Sequence, residues 1–565
     1  MAGVFKQVES MAVPQGMDPF RLLAHALETS YALVFLICVI HSPGASSLCR
    51  TGTRCECEKL NFVPGHSLAG EGINVVTLER KGAYLIDTDT WERPDQTCTL
   101  CSNALLQGTP LQKLPVSLID WRIHNTCSRK VSSSVLHSSF QVMEMSASLV
   151  QNDWKVDLDV NVKPNVNVQT AFAGSHSRLA KFAMQKDRQD KYSFMNHEIS
   201  CTYYRYRLSN TPPLTSHFSQ NLRNLPNHYS EMTKPNYYYV IDTYGTHYIT
   251  QLLLGGKMRD VTAIKSCESS LDGIKVDEVK DCLSIEASVT VVAKGKITGT
   301  YSTCEELKKT KKFVGSFHEK YSERQSEVEG GKATADLLFA KRQDPKKFDE
   351  WMESLKTIPG IISFSLMPIH TLVRFKGPQK ENLRKAISDY IIERAIQRNC
   401  SSSCPSGAQK SKRDSCSCFC PINKGINSMC CSTGRGFAKL TVNIHRATGL
   451  WGDYITKTDA FVKINFEGLN QRTDTVWNND NPKWGCHFDF GLVQLNQASV
   501  LKVEVWDEDN RYDDDKLGSC NQPLSSGSQE KKCYLNHGSL FFSINVVCGP
   551  QLGGPQCMEY VPSPQ

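Results

Sequence analysis

Acidic residues are concentrated in two short segments of this 565-residue chain, although its formal net charge is +7. In VWDEDNRYDDDKLG, residues 505–518, six of the nine residues from Asp507 to Asp515 carry carboxylates. The segment GLWGDYITKTDAF, residues 449–461, adds two aspartates. Seven aspartates brought to one place would repel one another unless a cation lay between them. Calcium binds six to eight oxygens in irregular geometry, so it fits this set better than magnesium or zinc.

Two other interpretations of the acidic segment have to be weighed. A run of like charges is most often a solvated surface, but the second acidic segment, with aromatic neighbours of its own, favours a site. An EF-hand loop counted from Asp507 needs glycine at its sixth position and glutamate at its twelfth. Those positions hold Tyr512 and Gly518, so the metal ligands must come from two separated loops.

Short alternating strands are predicted to position these loops. LTVNI (440–444), FVKINF (461–466) and LKVEV (501–505) alternate apolar and polar residues between turn residues. This pattern is typical of an antiparallel sandwich of about 110 residues. The second acidic segment follows LTVNI and the first begins where LKVEV ends, so both should leave the same end of the sandwich.

Three aromatic residues accompany the aspartates: Trp451, Tyr454 and Tyr512. They could pack against the rim of the sandwich. Alternatively, aromatic side chains beside a cation site are suited to enter a membrane interface, where Trp and Tyr are favoured. Calcium would then cancel the negative charge that repels anionic lipid.

Three stretches of this region together resemble a C2 domain: DAFVKINF, NDNPKWGCHFDF and VWDEDNRYDDDKLG. The resemblance implies calcium-dependent docking on phospholipid head groups. It also implies a ligand set, in which Glu508 is left out because it alternates away from its neighbours. The implied ligands are Asp453, Asp459, Asp507, Asp509 and Asp515, then Asp514, and finally Asp513 with the main-chain carbonyls of Gly452 and Thr456.

Cysteine usage and one apolar run indicate export. YALVFLICVI, residues 31–40, is too short to span a bilayer and is followed by small residues, which predicts a leader over residues 1–46. Of the 23 cysteines, removing Cys38 leaves an even number, which suits complete pairing in an oxidising compartment.

A dense cysteine cluster over residues 399–433 resembles an EGF-like module. Zinc binding is the competing interpretation, also suggested by Cys98 and Cys101, but no second ligand pair follows at zinc spacing. The cluster has an odd number of cysteines, so one of them must pair outside the module. Its members are Cys400, Cys404, Cys416, Cys418, Cys420, Cys430 and Cys431.

Residues 47–398 form one large mixed block. WKVDLDVNV (154–162) and LSIEASVTV (283–291) alternate as β-strands do. In TYGTHYITQLLLGGK, residues 243–257, His247 is expected to be a core histidine with satisfied hydrogen bonds. The glycine pair Gly255 and Gly256 should mark a bend or a close backbone approach. The HExxH, GxSxG, P-loop and GxGxxG patterns are absent from the chain, so no catalytic residues are predicted.

The motif TYGTHY…GG resembles the signature of the membrane attack complex/perforin family, and NDWKVDLDV, AGSHS, QDKYSF and SFHEKYSERQSEV extend the resemblance. The signature residues are Tyr244, Gly245, Thr246, His247, Tyr248, Gly255 and Gly256. The family implies a multidomain α+β chain, with a bent antiparallel sheet and flanking helical clusters (MACPF/CDC-like), an EGF-like module, an all-β C2 sandwich over 434–548 and a tail over 549–565. Helical clusters near 170–188 and 261–326 would convert into transmembrane β-hairpins of an oligomeric barrel.

The family resemblance therefore implies a secreted, calcium-triggered pore former of cytotoxic lymphocytes, stored in granules and acting on target membranes as a homo-oligomer. Granule proteases delivered through the pore are implied partners. Nucleic acid is not, since a pI near 8.4 is too mild. Three alternatives stay open: a terminal complement-like component, a lipid-directed enzyme lacking a recognisable nucleophile, and a calcium-dependent adhesion or lipid-binding protein.

Overall fold

The computed structural model describes residues 48–160, 173–292, 300–312, 314–332, 337–339, 344–396, 404, 407–410, 418–452, 454–509 and 513–563. A mixed N-terminal unit comes first, followed by the cysteine-rich module and an all-β sandwich. The predicted leader and two module cysteines, Cys400 and Cys416, lie outside these residues.

The N-terminal unit contains eleven described strands and eleven described α-helices. The strands are β1 (Cys49–Thr53), β2 (Glu71–Asn74), β3 (Glu79–Tyr84), β4 (Thr97–Ser102), β5 (Leu111–Leu114), β6 (Leu118–Cys127), β7 (Ser132–Leu136), β8 (Tyr192–Leu208), β9 (His247–Lys265), β10 (Arg324–Glu329) and β11 (Gly360–Pro368). The helices are α1 (Arg54–Glu58), α2 (Ser139–Ala147), α3 (Arg178–Asp187), α4 (Ser216–Arg223), α5 (Lys234–Tyr244), α6 (Ser266–Leu271), α7 (Val276–Val291), α8 (Thr300–Thr310), α9 (Phe317–Lys320), α10 (Pro345–Ser354) and α11 (Gln379–Arg394).

A bent antiparallel sheet is the centre of this unit. Its strands run in the order β3, β2, β9, β8, β6, with β7 on β8 and both β10 and β11 on β9. The first half of β9 pairs with β11 and the second half with β10. The change falls at Gly255 and Gly256, where a Cβ on Gly255 would lie 1.8 Å from the Cys201 carbonyl oxygen. The predicted close backbone approach at the glycine pair is confirmed.

The strand predicted at 154–162 is wrong over its described part. Residues 154–157 form a turn and residues 158–160 have no regular structure; the Leu158 N–H donates to the Lys155 carbonyl at 3.0 Å, and Asp157 has a φ of 62°. Trp154 and Leu158 are buried in the core, while Val156 is exposed. The alternation is therefore satisfied here by irregular backbone packed on the sheet. Residues 161–162 lie outside the described residues.

The strand that the alternation predicts at 283–291 is also wrong, because this segment is the second half of α7, as expected for the helical cluster 261–326 that the family resemblance implies. The Glu278 carboxylate accepts the Lys275 N–H at 3.0 Å and so caps the start of the helix. Buried residues occur at 276, 279, 283 and 287, the spacing of one helical face. Further residues on other faces, such as Ile285 and Val289, are also buried, so the second half of the helix is buried on nearly all sides.

The helical clusters have different limits from those predicted. In the first, the helix α3 covers only 178–187, and α2 adds a helix before the predicted start. In the second, residues 261–265 belong to β9 and residues 324–326 to β10, so the helical part runs from α6 to α9. The strands extend further because they continue the ladder of the central sheet.

Among the described residues, one disulfide joins the cysteine-rich module to the N-terminal unit. Cys431 pairs with Cys267 at the start of α6, which confirms that one module cysteine pairs outside it. The prediction that all cysteines after the leader are paired is wrong, because Cys55 and Cys486 are free thiols. Among the residues that the structure describes, the remaining bonds are Cys49–Cys101, Cys57–Cys98, Cys127–Cys201, Cys282–Cys304, Cys404–Cys418, Cys420–Cys430, Cys520–Cys533 and Cys548–Cys557.

The C-terminal unit is the predicted antiparallel sandwich. After the short module strands β12 (Gln409–Lys410) and β13 (Cys418–Phe419), its first sheet has the order β17, β14, β21, β20 and its second β16, β15, β18, β19. Apolar residues from both inner faces form one core. The strands are β14 (Phe437–Thr448), β15 (Ala460–Phe466), β16 (Leu469–Arg472), β17 (Lys483–Gln494), β18 (Val500–Asp507), β19 (Asp515–Pro523), β20 (Gly527–Tyr534) and β21 (Ser539–Cys548), followed by β22 (Leu552–Gly553) and β23 (Glu559–Tyr560).

Candidate functional site

Three loops meet at one end of the sandwich. Loop 1 (449–459) joins β14 to β15, loop 2 (473–482) joins β16 to β17, and loop 3 (508–514) joins β18 to β19. In the second sheet Asp507 lies opposite Ala460 on one side and Asp515 on the other. The register therefore places Asp459, Asp507 and Asp515 at the ends of three adjacent strands.

Asp507 is the centre of this arrangement. Its side chain is only 1% exposed, and its Oδ1 accepts the Asp459 N–H at 2.6 Å. A Cβ at Gly452 would lie 1.6 Å from Asp507 Oδ2, so loop 1 can approach this carboxylate only with glycine there. Asp507 thus binds the backbone of one loop 1 residue and touches another.

Asp459 links all three loops. Its Oδ1 accepts the Asn478 N–H of loop 2 at 2.5 Å, and its carbonyl accepts the Glu508 N–H of loop 3 at 2.9 Å. Glu508 itself turns away, because its carboxylate pairs with Arg472 at 2.6 Å and accepts the Thr475 hydroxyl. Its side chain therefore faces Arg472 at the end of β16 and Thr475 of loop 2 rather than Asp507.

The remaining predicted ligands are only partly brought together. Asp513 and Asp515 are exposed and Asp514 is half-buried, while Asp453 lies outside the described residues. Within the described ranges, no three His, Cys, Asp or Glu side chains are close enough to hold a metal ion. The donor set nevertheless fits calcium in kind, since it consists of carboxylate and carbonyl oxygens with no nitrogen or sulfur.

Asp480 in loop 2 is a structural carboxylate that the sequence analysis missed. Its Oδ1 accepts both the N–H and the hydroxyl of Thr458, at 3.1 and 3.2 Å, and its carbonyl accepts the Leu450 N–H at 2.9 Å. It ties loop 2 to both ends of loop 1. The sequence feature that could have identified Asp480 is its place in the turn NDNP, because Asp side chains in turns commonly accept hydrogen bonds from backbone N–H groups.

Exposed apolar side chains lie on loops 1 and 2, which meet at the aspartates. Trp451 is 44% exposed and its ring meets that of Tyr454 at 5.0 Å; Tyr454 is itself 92% exposed. Two further residues were not predicted: Ile455, 96% exposed, and Trp477 of loop 2, 63% exposed. We call Trp451, Tyr454, Ile455 and Trp477 the apolar rim. Tyr512 lies outside the described residues.

The signature motif of the N-terminal unit is a buried hydrogen-bond chain. Thr246 Oγ1 accepts the Val75 N–H at 3.0 Å and donates to His247 Nδ1 at 2.8 Å, and His247 Nε2–H donates to the Trp154 carbonyl at 2.9 Å. Burial lowers the pKa of His247 to about 3, so the ring is neutral. The prediction of a satisfied core histidine is confirmed.

Neighbouring signature residues fix the entry to β9. Gly245 ends α5 at a φ of 85°, and a Cβ there would lie 2.6 Å from the Ile73 backbone, so only glycine fits. The Tyr244 hydroxyl accepts an Asn221 N–H at 2.8 Å, and Tyr248 pairs with Gly72 in β2. These residues hold β2 against β9. No helix in the described ranges is both long and apolar enough to cross a bilayer.

Comparisons with known proteins agree with this organisation. A family model for the MAC/Perforin domain matches residues 63–400, one for a Perforin-1-like EGF domain matches 399–433, and one for the C2 domain matches 438–536. Perforin-1 of Homo sapiens is 45% identical over 518 residues, which cover 91% of this chain and 93% of that protein. Perforin-1 of Mus musculus gives the same values. Complement component C6 of Bos taurus is 29% identical over 39% of this chain and 24% of its own length.

Proposed function

Because the chain belongs to the MAC/perforin family, it is a pore-forming cytolytic protein with a C2 membrane-binding domain, and we propose that calcium at the C2 loops controls its docking. The observation that carries this proposal is the position of Asp507. Its buried carboxylate lies beside the Asp459 backbone and opposite Asp515. Concentrating carboxylates in this way is costly without a neutralising cation.

The ligands that we propose are the carboxylates of Asp459, Asp507, Asp509 and Asp515, together with Asp453, which lies outside the described residues. Asp513, Asp514 and the carbonyls of Gly452 and Thr456 are the weaker candidates. Bound calcium would supply positive charge and coordination positions for lipid phosphate. The chain's own part is to hold loops 1 and 3 together through Asp507 and Asp459, so that the carboxylates share one end of the sandwich.

The apolar rim is the proposed contact with lipid. Tyr454 and Ile455 are almost fully exposed, although an apolar side chain in water is unfavourable. Burying each such side chain in the membrane interface contributes roughly 1.5–3 kcal/mol. Once the charge of the loops is neutralised, the rim can enter the interface of an anionic membrane. Tyr512 is proposed as a further member.

Insertion is proposed to use the segments whose sequence alternates but which are not strands in this structure. Residues 283–291 place Leu283, Ile285 and Val289 on one face of an extended chain, with Ser284 and Glu286 on the other. A transmembrane strand needs about 9 to 11 residues of such alternation. In lipid the backbone must be paired on both sides, so the hairpins of many subunits must join into a closed ring.

Several finer statements belong to the same proposal. The protein is secreted, is held in the lumen of a cytotoxic granule before release, and allows granule proteases to pass through its pore. The family membership and the predicted leader support this. The terminal complement-like alternative is less favoured, because the C6 match covers well under half of the chain. The liposome experiment below distinguishes pore formation from an enzymatic function and from a purely adhesive one.

Dye release from anionic liposomes tests the proposal. We expect release with calcium and none with a chelator, without any lipid hydrolysis product. Asp509→Asn with Asp515→Asn should abolish calcium-dependent binding, whereas the matched variant Glu508→Gln, whose side chain pairs with Arg472, should bind normally. Binding with no release would indicate an adhesion protein, and release independent of calcium would refute the calcium site.

A further inference from the structure

The Cys282–Cys304 disulfide lies inside the segment that is proposed to insert. It joins α7 to α8, with the two Cα atoms 5.6 Å apart and both side chains buried. If these helices become the two strands of one hairpin, the bond must either be broken or fit the paired strands. The register of the sheet decides which.

The β9–β10 ladder sets the register of any such hairpin. It runs without a shift from Lys257 opposite Glu329 to Thr262 opposite Arg324. The Ala263 N–H then donates to the Glu323 carbonyl at 2.8 Å, so the same register continues past the end of β10. In an antiparallel pair, each residue forward on one strand is one residue back on the other. Twenty residues beyond Thr262 is Cys282, and twenty residues before Arg324 is Cys304.

The two cysteines are therefore directly opposite each other when the ladder is extended. Of the eleven positions of α8, only residue 304 has this property for Cys282. Directly opposed residues have Cα atoms about 4.5–5.5 Å apart, within the range that a disulfide spans, whereas a slip by two residues gives about 7–8 Å. A bond that served only the helical form would have no reason to obey this register.

The chain already contains disulfides of this geometry. Cys127 lies opposite Cys201 in the β6–β8 ladder, and Cys49 lies opposite Cys101 in the β1–β4 ladder. Both pairs are bonded. A disulfide between directly opposed strand residues is thus compatible with the sheets of this protein.

The disulfide would also lie on the polar face of the extended hairpin. Successive strand residues point to opposite faces, so Cys282 shares its face with Ser284 and Glu286, and Cys304 with Ser302. Leu283 and Ile285 would be on the other face, with Ile285 opposite Tyr301. The bond would therefore leave the lipid-facing side chains clear.

A second ladder independently supports the extension of sheet strands into hairpins. β7 and β8 pair without a shift from Ser132 opposite Glu198 to Leu136 opposite Phe194. Continued in the same register, these two strands would meet at residue 165, just after Pro164, where a turn is favoured. The alternating segment 154–162 would end just before that turn. Residues 161–172 lie outside the described residues, so the position of this turn rests on the sequence alone.

We propose that Cys282–Cys304 is a register pin, a disulfide that stays intact during insertion and fixes which residues of the second hairpin face each other. It rests on the proposed function, because it presumes that α7 and α8 become a hairpin. The pin places the turn at residue 293, midway between the cysteines and outside the described residues. It positions the alternating segment 283–291 against residues 295–303.

Disulfide mapping of wild-type pores is the first test. Liposomes are lysed with calcium, free thiols are alkylated, and the pore is digested without reductant. We expect the disulfide-linked Cys282–Cys304 peptide pair to be recovered intact, with neither cysteine alkylated. In the absence of reductant, lysis should be the same with and without a thiol-blocking reagent. Alkylated Cys282, or lysis that requires a reductant, would overturn the proposal and identify the bond as a lock on the helical form.

Cross-linking measures the register itself. In a Cys282→Ser, Cys304→Ser background, S284C with S302C restores a directly opposed pair, while S284C with Cys304 retained in a C282S chain is offset by two residues. Oxidation of assembled pores should join the first pair in most subunits and the second at least about tenfold less, because of the larger Cα separation. Equal joining, or joining only of the offset pair, would overturn the register.

The same preparations separate failure of this inference from failure of the proposed function. Absence of calcium-dependent dye release from the wild-type protein would contradict the proposed function. Normal release with a reduced disulfide or an offset cross-link would contradict only the register pin. Wild-type mapping needs no substitution, so a variant that failed to fold would not prevent the decision.

Discussion

Acidification should destabilise the N-terminal unit through buried neutral histidines, and His247 is the clearest case. Burial lowers its pKa to about 3, against about 6.5 in an unfolded chain. Between these values the unfolded chain binds the proton and the folded one does not, so stability falls as pH falls below about 6.5. At pH 5 the difference is about 1.5 pH units, which corresponds to about 2 kcal/mol from this one residue.

Two other histidines act in the same direction. Burial lowers the pKa of His197 to about 4 and that of His370 to about 4, and each side chain is almost fully buried. Together the three histidines should lower the free energy of unfolding by about 6 kcal/mol when the pH falls from 7 to 5. This is comparable with the whole stability of an ordinary domain.

The assay compares guanidinium unfolding at pH 7 and pH 5 for the wild type and for His247→Gln. Glutamine can donate to the Trp154 carbonyl but does not titrate. The variant should be less stable at pH 7 because packing is lost, yet its loss between pH 7 and pH 5 should be about 2 kcal/mol smaller than in the wild type. His487→Gln, an exposed position on β17, is the matched control and should keep the wild-type difference. An unchanged pH dependence in H247Q would refute the argument.

Three further predictions concern the loops and the bend of the sheet. Asp507→Ala should lower the stability of the C2 sandwich by about 1–3 kcal/mol in thermal unfolding with calcium, because the half-buried Asp459 N–H loses its acceptor and the proposed cation loses a ligand; an unchanged midpoint would contradict this. Trp477→Ala with Ile455→Ala should weaken liposome binding about tenfold or more in co-sedimentation, while Val547→Ser on the exposed opposite end should not; equal effects would exclude a specific rim. Gly255→Ala should cost about 3 kcal/mol or more in chemical unfolding, because its Cβ overlaps the Cys201 carbonyl, and a near-neutral result would contradict the close approach.

The sandwich could be predicted from sequence because each strand has one buried face. In LTVNI, Leu440, Val442 and Ile444 are all fully buried, as the alternation indicates. The ends of β15 and β18 then determine where loops 1 and 3 emerge. Loop 2 could not be placed in this way, since its contribution depends on long-range bonds such as Asn478 to Asp459. Trp477 and Asp480 were missed for that reason.

Cysteine pairing was beyond sequence reasoning in a different way. An odd module cysteine had to pair elsewhere, but nothing in its spacing indicates Cys267, which is far away along the chain. The even number of cysteines after the leader also gave a wrong prediction of complete pairing, because Cys55 and Cys486 are free. Pairing depends on which Cα atoms the fold brings within about 4.4–6.8 Å, and local sequence does not contain that information.

The wrong strand prediction at 283–291 has a physical origin that bears on function. A strand obtains its backbone hydrogen bonds from neighbours, whereas a helix satisfies them within itself. In this structure, α7 is buried on nearly all sides by the sheet and by α8, so a period of two and a period of 3.6 both leave its apolar residues inside. Helix formation is then favoured because it needs no partner strand. The alternation gains a use only where partner strands exist and one face meets lipid, so the sequence pattern of this segment describes the proposed inserted hairpin better than it describes the helix α7.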